Sequence, residues 1–205
     1  MTIKDDVLHT LKPQAYKTIR GRVRDGDLLF CSATDPISQT IRWATRSPWS
    51  HIAIAYRLEA LDRVMVLESV EHIGVRTVPL STFISRTSEG THPYPGDIIL
   101  ARHAGFPAGE PGTMKEMFRF AFDHLGDKFA MGEIFKILTR IVLGRFAVHM
   151  PKSLGAKNEY ICSEYVAKCF DKVGLKIPWD GLGFIGPGDF AADPEIKVVA
   201  RFRTR

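Results

Sequence analysis

A chain of 205 residues, 45% of them apolar and 25% charged, is long enough to bury a core, is expected to form one domain over 1–205, and is not disordered, collagen-like or built of solenoid repeats. The net charge of +5 and a pI near 9.2 are mildly basic, with Lys and Arg spread along the chain apart from the tail Arg201, Arg203 and Arg205. No nucleic-acid module signature is present, so no nucleic-acid partner is expected; attraction to an anionic polymer or a membrane surface stays open.

The N-terminal stretch MTIKDDVLHTLKPQ has no long apolar run and no small-residue cleavage site, and no segment reaches the ~18 apolar residues of a spanning helix. The expected location is therefore the cytoplasm. The three cysteines, Cys31, Cys162 and Cys169, are odd in number and lack CxxC or zinc spacing, which fits reduced thiols.

Residues 26–31, GDLLFC, and residues 96–101, GDIILA, each read as a buried strand opened by a Gly-Asp turn. Asp35-Pro36 supplies an N-cap followed by proline at the first helical position, and Ile37, Ile41 and Ala44 follow at helical spacing. That helix ends near Ser47-Pro48, because the residue before a proline avoids the helical region. Residues 51–56, HIAIAY, and 64–68, VMVLE, are strands joined as a hairpin through the polar stretch 57–63, and 75–78 form a third strand closed by Pro79. Residues 102–112 are a Gly- and Pro-rich loop. From Thr113 to about Leu125, Met114, Met117, Phe118, Ala121, Phe122 and Leu125 keep a period of 3.6, with Gly126 as the stop. A very apolar helix is expected over about 132–143 and a loop over 150–159. Then comes a helix from Cys162 to Val173, with Val166, Cys169, Phe170 and Val173 on one face and Gly174 as its stop, and a last strand, IKVVARF. Strands mainly in the first half and helices mainly in the second make an α+β fold.

Chemistry concentrates at three positions. Cys162 opens an amphipathic helix, where backbone N–H groups favour thiolate and can hold an oxyanion. The competing reading is a small buried apolar residue, which is what Cys169 looks like on the core face of the same helix. His51 opens a strand right after RSPWS, a place from which a base projects into a cleft; a structurally bonded loop histidine is the alternative. In the hairpin, residue numbers pair to a sum near 120, so His51 sits across from about Ser69 and Glu68 is one step away. A carboxylate there can bind one imidazole nitrogen and leave the other for the thiol. A plain surface position is the alternative for Glu68, and Glu71 or His72 can take the orienting role instead.

The segments GDLLFCSATDPISQTIRWATRSPWSHIAIAYR (26–57), VLESVEHIGVRTVPLSTF (66–83), YICSEYVAKCFDKVGL (160–175) and IGPGDFAADPEI (185–196) together resemble the YiiX-like permuted branch of the NlpC-type papain-like superfamily. The resemblance spans about residues 22–197 and rests on the S-H-x-small-I and Y-x-C-S-E pieces in this order. It implies a circularly permuted papain-like fold, a small antiparallel sheet packed against the nucleophile helix. It implies Cys162 as nucleophile, His51 as base, Glu68 as the third polar residue, and Tyr160 as an aromatic residue lining the oxyanion pocket. The superfamily includes cell-wall peptidases and amidases as well as lipid acyltransferases and thioesterases. One departure from its pattern is GDKFA (126–130), where Phe129 and Ala130 replace a tyrosine-aspartate pair that members often carry.

Trp49 and Ser50, immediately before His51, join Tyr160 as candidates for substrate and oxyanion contacts; Trp43 and Trp49 either wall the cleft or pack. The stretch 134–146, IFKILTRIVLGRF, carries Lys136 and Arg140 four apart on an apolar helix, either a core helix with snorkelling cations or a lid that meets acyl chains or a membrane. HExxH, P-loop and Rossmann signatures are missing, so no cofactor and no metal are expected. The reading is a cysteine hydrolase that cleaves an amide, in a peptide or peptidoglycan fragment, through a Cys-His-Glu triad and a thioester. A lipid thioesterase or acyltransferase with the same triad, acting on an acyl small molecule, is one rival. A non-enzymatic binding module on the same scaffold is the other.

Overall fold

The structure, a computed structural model, describes residue 3 and residues 7–85, 92–107, 111–130, 132, 159–178 and 185–204. The expected helix over 132–143, the apolar stretch 134–146 and most of the 150–159 loop lie outside the described residues.

The apolar runs form strands β1 (Asp27–Ala33), β2 (His51–Leu58), β3 (Arg63–Val70), β4 (Gly74–Pro79), β5 (Gly96–His103) and, at the end of the chain, β8 (Ile196–Phe202). They make one antiparallel sheet in the order β4-β3-β2-β1-β5-β8, with the two-residue strands β6 (Lys128–Phe129) and β7 (Glu159–Tyr160) pairing separately and in parallel. β1 is buried along its whole length. An unbroken apolar run means a strand covered on both faces, and alternation along the strands sorts the two sets of side chains.

One face carries Leu28, Phe30, Ile52, Ile54, Leu67 and Ile99, covered by helices α5 (Pro111–Asp123) and α6 (Cys162–Asp171). The other carries Leu29, Cys31, Ala53, Ala55, Val66 and Leu100, covered by α2 (Tyr16–Ile19) and α4 (Leu80–Ser85). Short α1 (Val7–Thr10), surface helix α3 (Pro36–Thr45) and α7 (Pro187–Ala192) are further helices.

Local signals set the boundaries. Asp35 caps α3, its carboxylate accepting the Ser38 N–H at 2.9 Å, and Pro36 is the first helical residue. Gly26 takes φ +79 at the entry to β1, where a Cβ would fall about 2.0 Å from the Phe106 ring, so no larger residue fits. The α6 core face is as expected, with Val166, Cys169 and Phe170 fully buried. The α5 face differs. Met117 and Ala121 are buried, whereas Phe122 is 40% exposed and meets the Tyr56 ring edge-on at 5.7 Å. A 3.6 period marks an apolar stripe without saying how wide its cover is. Helices α4 and α7 were not expected, since LSTFIS and PGDFAA are too short to show a period.

Candidate functional site

His51 stands at the first position of β2, beside the end of β1. The residue before it fixes that position: the Ser50 N–H and hydroxyl both donate to the Cys31 carbonyl, at 2.9 and 3.3 Å, and the Ser50 hydroxyl accepts the Ala33 N–H at 3.2 Å. Ser50 is thus spent on the β1 backbone. Trp49 is fully buried, edge-on to Phe30 at 5.6 Å, with its indole N–H on the Ile3 carbonyl at 3.4 Å. It braces the loop from inside the core. Trp43, by contrast, is 58% exposed.

β2 and β3 pair with residue numbers adding to 121, as in Ile54 with Leu67, one more than the sequence reading used. The difference matters because a one-residue change of register moves a side chain to the other face. Continued to the strand end, this register sets His51 opposite Val70 and makes Glu68 its diagonal neighbour on the same face. The His51 Nε2 lies 2.8 Å from Glu68 Oε2.

Glu68 is 2% exposed and has a second partner that sequence reasoning missed. Arg76, directly opposite on β4, donates to Oε1 from Nε at 2.8 Å, with Nη2 at 2.7 Å. The signal was available in principle. A Gly at 74 with φ +88 closes a tight β3–β4 turn, and counting back from it sets Arg76 against Glu68. Glu71 and His72, the alternative orienters, pair with each other at 3.0 Å at that turn, where His72 is 82% exposed.

Cys162 is the first residue of α6 and is 5% exposed. Its N-cap, Ile161, has extended dihedrals and no side-chain cap, so the first-turn N–H groups stay available beside the thiol. The Cys162 sulfur and the His51 imidazole are near enough for their charges to couple, and the backbone at Ile52 and Ser163 also favours charge on the sulfur. With Nε2 on Glu68, Nδ1 is the ring atom left for the sulfur. His51 lies on the sheet face away from α6, and its place at the very start of β2 lets the ring reach round the strand end.

The electrostatics are those of a coupled pair. Burial disfavours a charged imidazole, but the Cys162 sulfur and the Glu68 carboxylate outweigh it and carry His51 from 6.5 to about 10. Burial pushes the Cys162 thiol up, and the neighbouring His51 together with the backbone at Ile52 and Ser163 more than reverses this. Glu68 is likewise held below its ordinary value against burial, by His51 and Arg76. The pair therefore favours thiolate and imidazolium. The other two thiols do the opposite: burial pushes Cys169 to about 12 and Cys31 well above 9.0.

Cys31 is the register partner of His51 on β1 and is fully buried, its thiol directed to the Leu29 carbonyl at 3.9 Å and coupled electrostatically to Tyr94. Neither was taken as a site residue from the sequence. Tyr160 falls in β7, two residues before Cys162, with Phe129 as its backbone partner. The departure segment 126–130 therefore runs beside the strand that leads into the nucleophile position. Ser163 donates to the Ile185 carbonyl at 2.7 Å, tying the start of α6 to the chain entering α7.

Residues 22–183 match the family model of permuted papain-like amidases, YaeF/YiiX, C92. The chain belongs to that family. It is thus an amidase-type cysteine hydrolase of permuted papain-like fold, in which the histidine strand precedes the cysteine helix. The fold is similar to that of the metalloprotein YiiX from Escherichia coli O157:H7, with a TM-score of 0.60, 18% identity, and cover of 86% of this chain and 96% of that one. No curated protein is significantly similar in sequence. That neighbour is described as a metalloprotein; among the described residues here, no three His, Cys, Asp or Glu side chains form a group that could hold a metal ion. No helix among the described residues is long and apolar enough to cross a membrane.

Proposed function

We propose that this amidase cleaves its substrate through a Cys162-His51-Glu68 triad and a thioester intermediate, and that the substrate is a peptide or a peptidoglycan fragment. The observation that carries this is the His51 Nε2–Glu68 contact at 2.8 Å, with the Cys162 thiol at the start of α6 coupled to the same imidazole.

The Cys162 thiolate attacks the amide carbonyl carbon, and first-turn N–H groups of α6 hold the oxygen as it gains charge. His51, protonated in the resting pair, gives its proton to the leaving nitrogen as the C–N bond breaks, and the amine departs. The acyl group remains on Cys162 as a thioester. Neutral His51 then takes a proton from water, the hydroxide adds to the thioester carbonyl, and collapse expels thiolate and a carboxylic acid. Glu68 holds the ring orientation and stabilises the imidazolium, and Arg76 holds Glu68.

The test is a screen of amide, ester and thioester activity probes, with mass spectrometry of the labelled residue. The expected result is acylation of Cys162 by an amide-type probe, absent in Cys162→Ala and in His51→Ala. Labelling by thioester probes alone would favour the acyltransferase chemistry instead, and no labelling of Cys162 by any probe would overturn the triad.

A further inference from the structure

Helix α3 is an exposed element beside the histidine. None of its residues is buried, and Ile37 and Trp43 are 42% and 58% exposed. Between its solvent side and Leu8 runs an open groove of about 800 Å³, lined among others by Arg42, Trp43, Arg46, Ser47 and Pro48.

Among the described residues, six arginines pair with acids, while Arg42 and Arg46, like Arg22, Arg24, Arg63 and Arg203, have no carboxylate ion pair. Arg42 makes only a 3.4 Å bond to the Ala33 carbonyl. Arg46 also occupies the left-handed position that ends α3, at φ 51, where glycine or asparagine is the comfortable choice. A guanidinium is thus kept, at a backbone cost, at the mouth of a groove with no acid to meet it.

Two links run from the groove residues toward the catalytic end of the sheet. Arg46 is five residues ahead of His51, so their Cα atoms are at most about 19 Å apart. Ser47 lies against Gly188 of α7, where a Cβ would come within 3.1 Å of its side chain. The chain entering α7 is in turn bonded to Ser163, next to Cys162.

From this arrangement we propose that the α3 groove is a substrate subsite for a carboxylate carried on the same molecule as the scissile amide and a few residues from it. Arg42 and Arg46 bind the carboxylate, and Trp43 covers its apolar flank. Guanidinium forks match carboxylate oxygens in pairs, which an ammonium does not. The proposal deepens the amide-hydrolase reading and rests on it only for the identity of the whole substrate.

The experiment uses the full-length Cys162→Ala protein, which binds without turnover. Acetylated alanine peptides of two to five residues, each as the free acid and as the C-terminal amide, are titrated against Trp43 fluorescence, with Trp43→Phe assigning the signal. At least one acid is expected to bind about tenfold more tightly than its amide, a difference of about 1.4 kcal/mol. Arg42→Gln and Arg46→Gly each bring the acid down to the level of the amide, while Arg119→Gln changes nothing. Arg46→Gly is the informative variant, because glycine relieves the positive φ and so a folding defect is not the explanation of lost binding. Equal binding of acid and amide throughout the series, or unchanged binding in both groove variants, would overturn the proposal. Inorganic phosphate binding more tightly than every acid would overturn it in favour of a phosphate site. Probe labelling of Cys162 in the wild type is read separately. Acid binding without labelling would sink the hydrolase reading and spare the groove, and labelling without acid discrimination would do the reverse.

Discussion

The Arg76 clamp makes a prediction in which stability and chemistry are separable. Glu68 is 2% exposed and its carboxylate has three nitrogen partners: His51 Nε2 at 2.8 Å and the Arg76 Nε and Nη2 at 2.8 and 2.7 Å. Arg76→Leu removes two of them and the formal charge that neutralises Glu68. Breaking a buried pair costs about 3–5 kcal/mol. Arg76 is 23% exposed and His51 remains as a counter-charge, so we expect a smaller loss, about 2–3 kcal/mol. For a chain of this size that corresponds to a fall in Tm of roughly 4–12 °C. The carboxylate is then held from one side only, and kcat should fall about tenfold, as expected for about 1.4 kcal/mol of lost orientation at the ring. Arg76→Lys restores the charge but not the fork, so it should recover most of the Tm and only part of kcat. Calorimetry and steady-state rates below the lowered Tm are the assays. A Tm within about 1 °C of wild type together with an unchanged kcat would refute the clamp.

Further outcomes follow from the same geometry. The kcat/KM profile should be a bell, with its acid limb below the ordinary thiol value of 9.0, set by Cys162, and its alkaline limb near 10, set by His51. His51 is raised in the folded protein, so its contribution to stability is complete below pH 6.5 and is lost as pH rises through about 10. Glu68 is lowered, so its contribution is present above 4.5 and is lost as pH falls through its folded value; an alkaline limb near pH 6–7 would contradict this coupling. Glu68→Gln should lower kcat by about 10²-fold or more with the fold intact, since glutamine keeps the shape but not the charge that supports imidazolium. Glu71→Gln, at the exposed turn, should be silent, and the reverse pattern would move the orienting role to Glu71.

The strands were legible because their signals are short and strong: an apolar run after a Gly-Asp turn has few other ways to be satisfied. The Asp35-Pro36 start and the Gly174 stop were legible for the same local reason. What failed to show is what depends on partners. Whether Phe122 is covered depends on Tyr56 and not on its own helix. Ser50 looked like a substrate contact because it precedes His51, yet its bonds go to Cys31 and Ala33, which are neighbours only through the β1–β2 register. Cys31 and Tyr94 couple to the His51-Glu68 pair from β1 and from a loop, and nothing in their own sequence surroundings marks them, while Arg76 shows only when the Gly74 turn register is carried back along β3 and β4.

The register also explains why chain order matters so little to this site. A nucleophile at a helix start and a base at a strand start need only be brought to the same end of one sheet, and here that end is defined by backbone. Ser50 fixes the beginning of β2 on β1, and Ser163 fixes the beginning of α6 on the chain leading to α7. Each tether lies within one residue of the group it positions. Glu68 is different, since its place depends on the pairing of β2 with β3 over several residues. A slip of one would turn it to the α6 face, away from His51. The Val64 and Val66 side chains, packed on the α4 face with Ala53 and Ala55, oppose that slip, because it would expose them to the wrong layer together with Glu68. The apolar alternation of β3 is therefore part of what orients the histidine, and the packing of those valines is coupled to the geometry of the carboxylate that follows them.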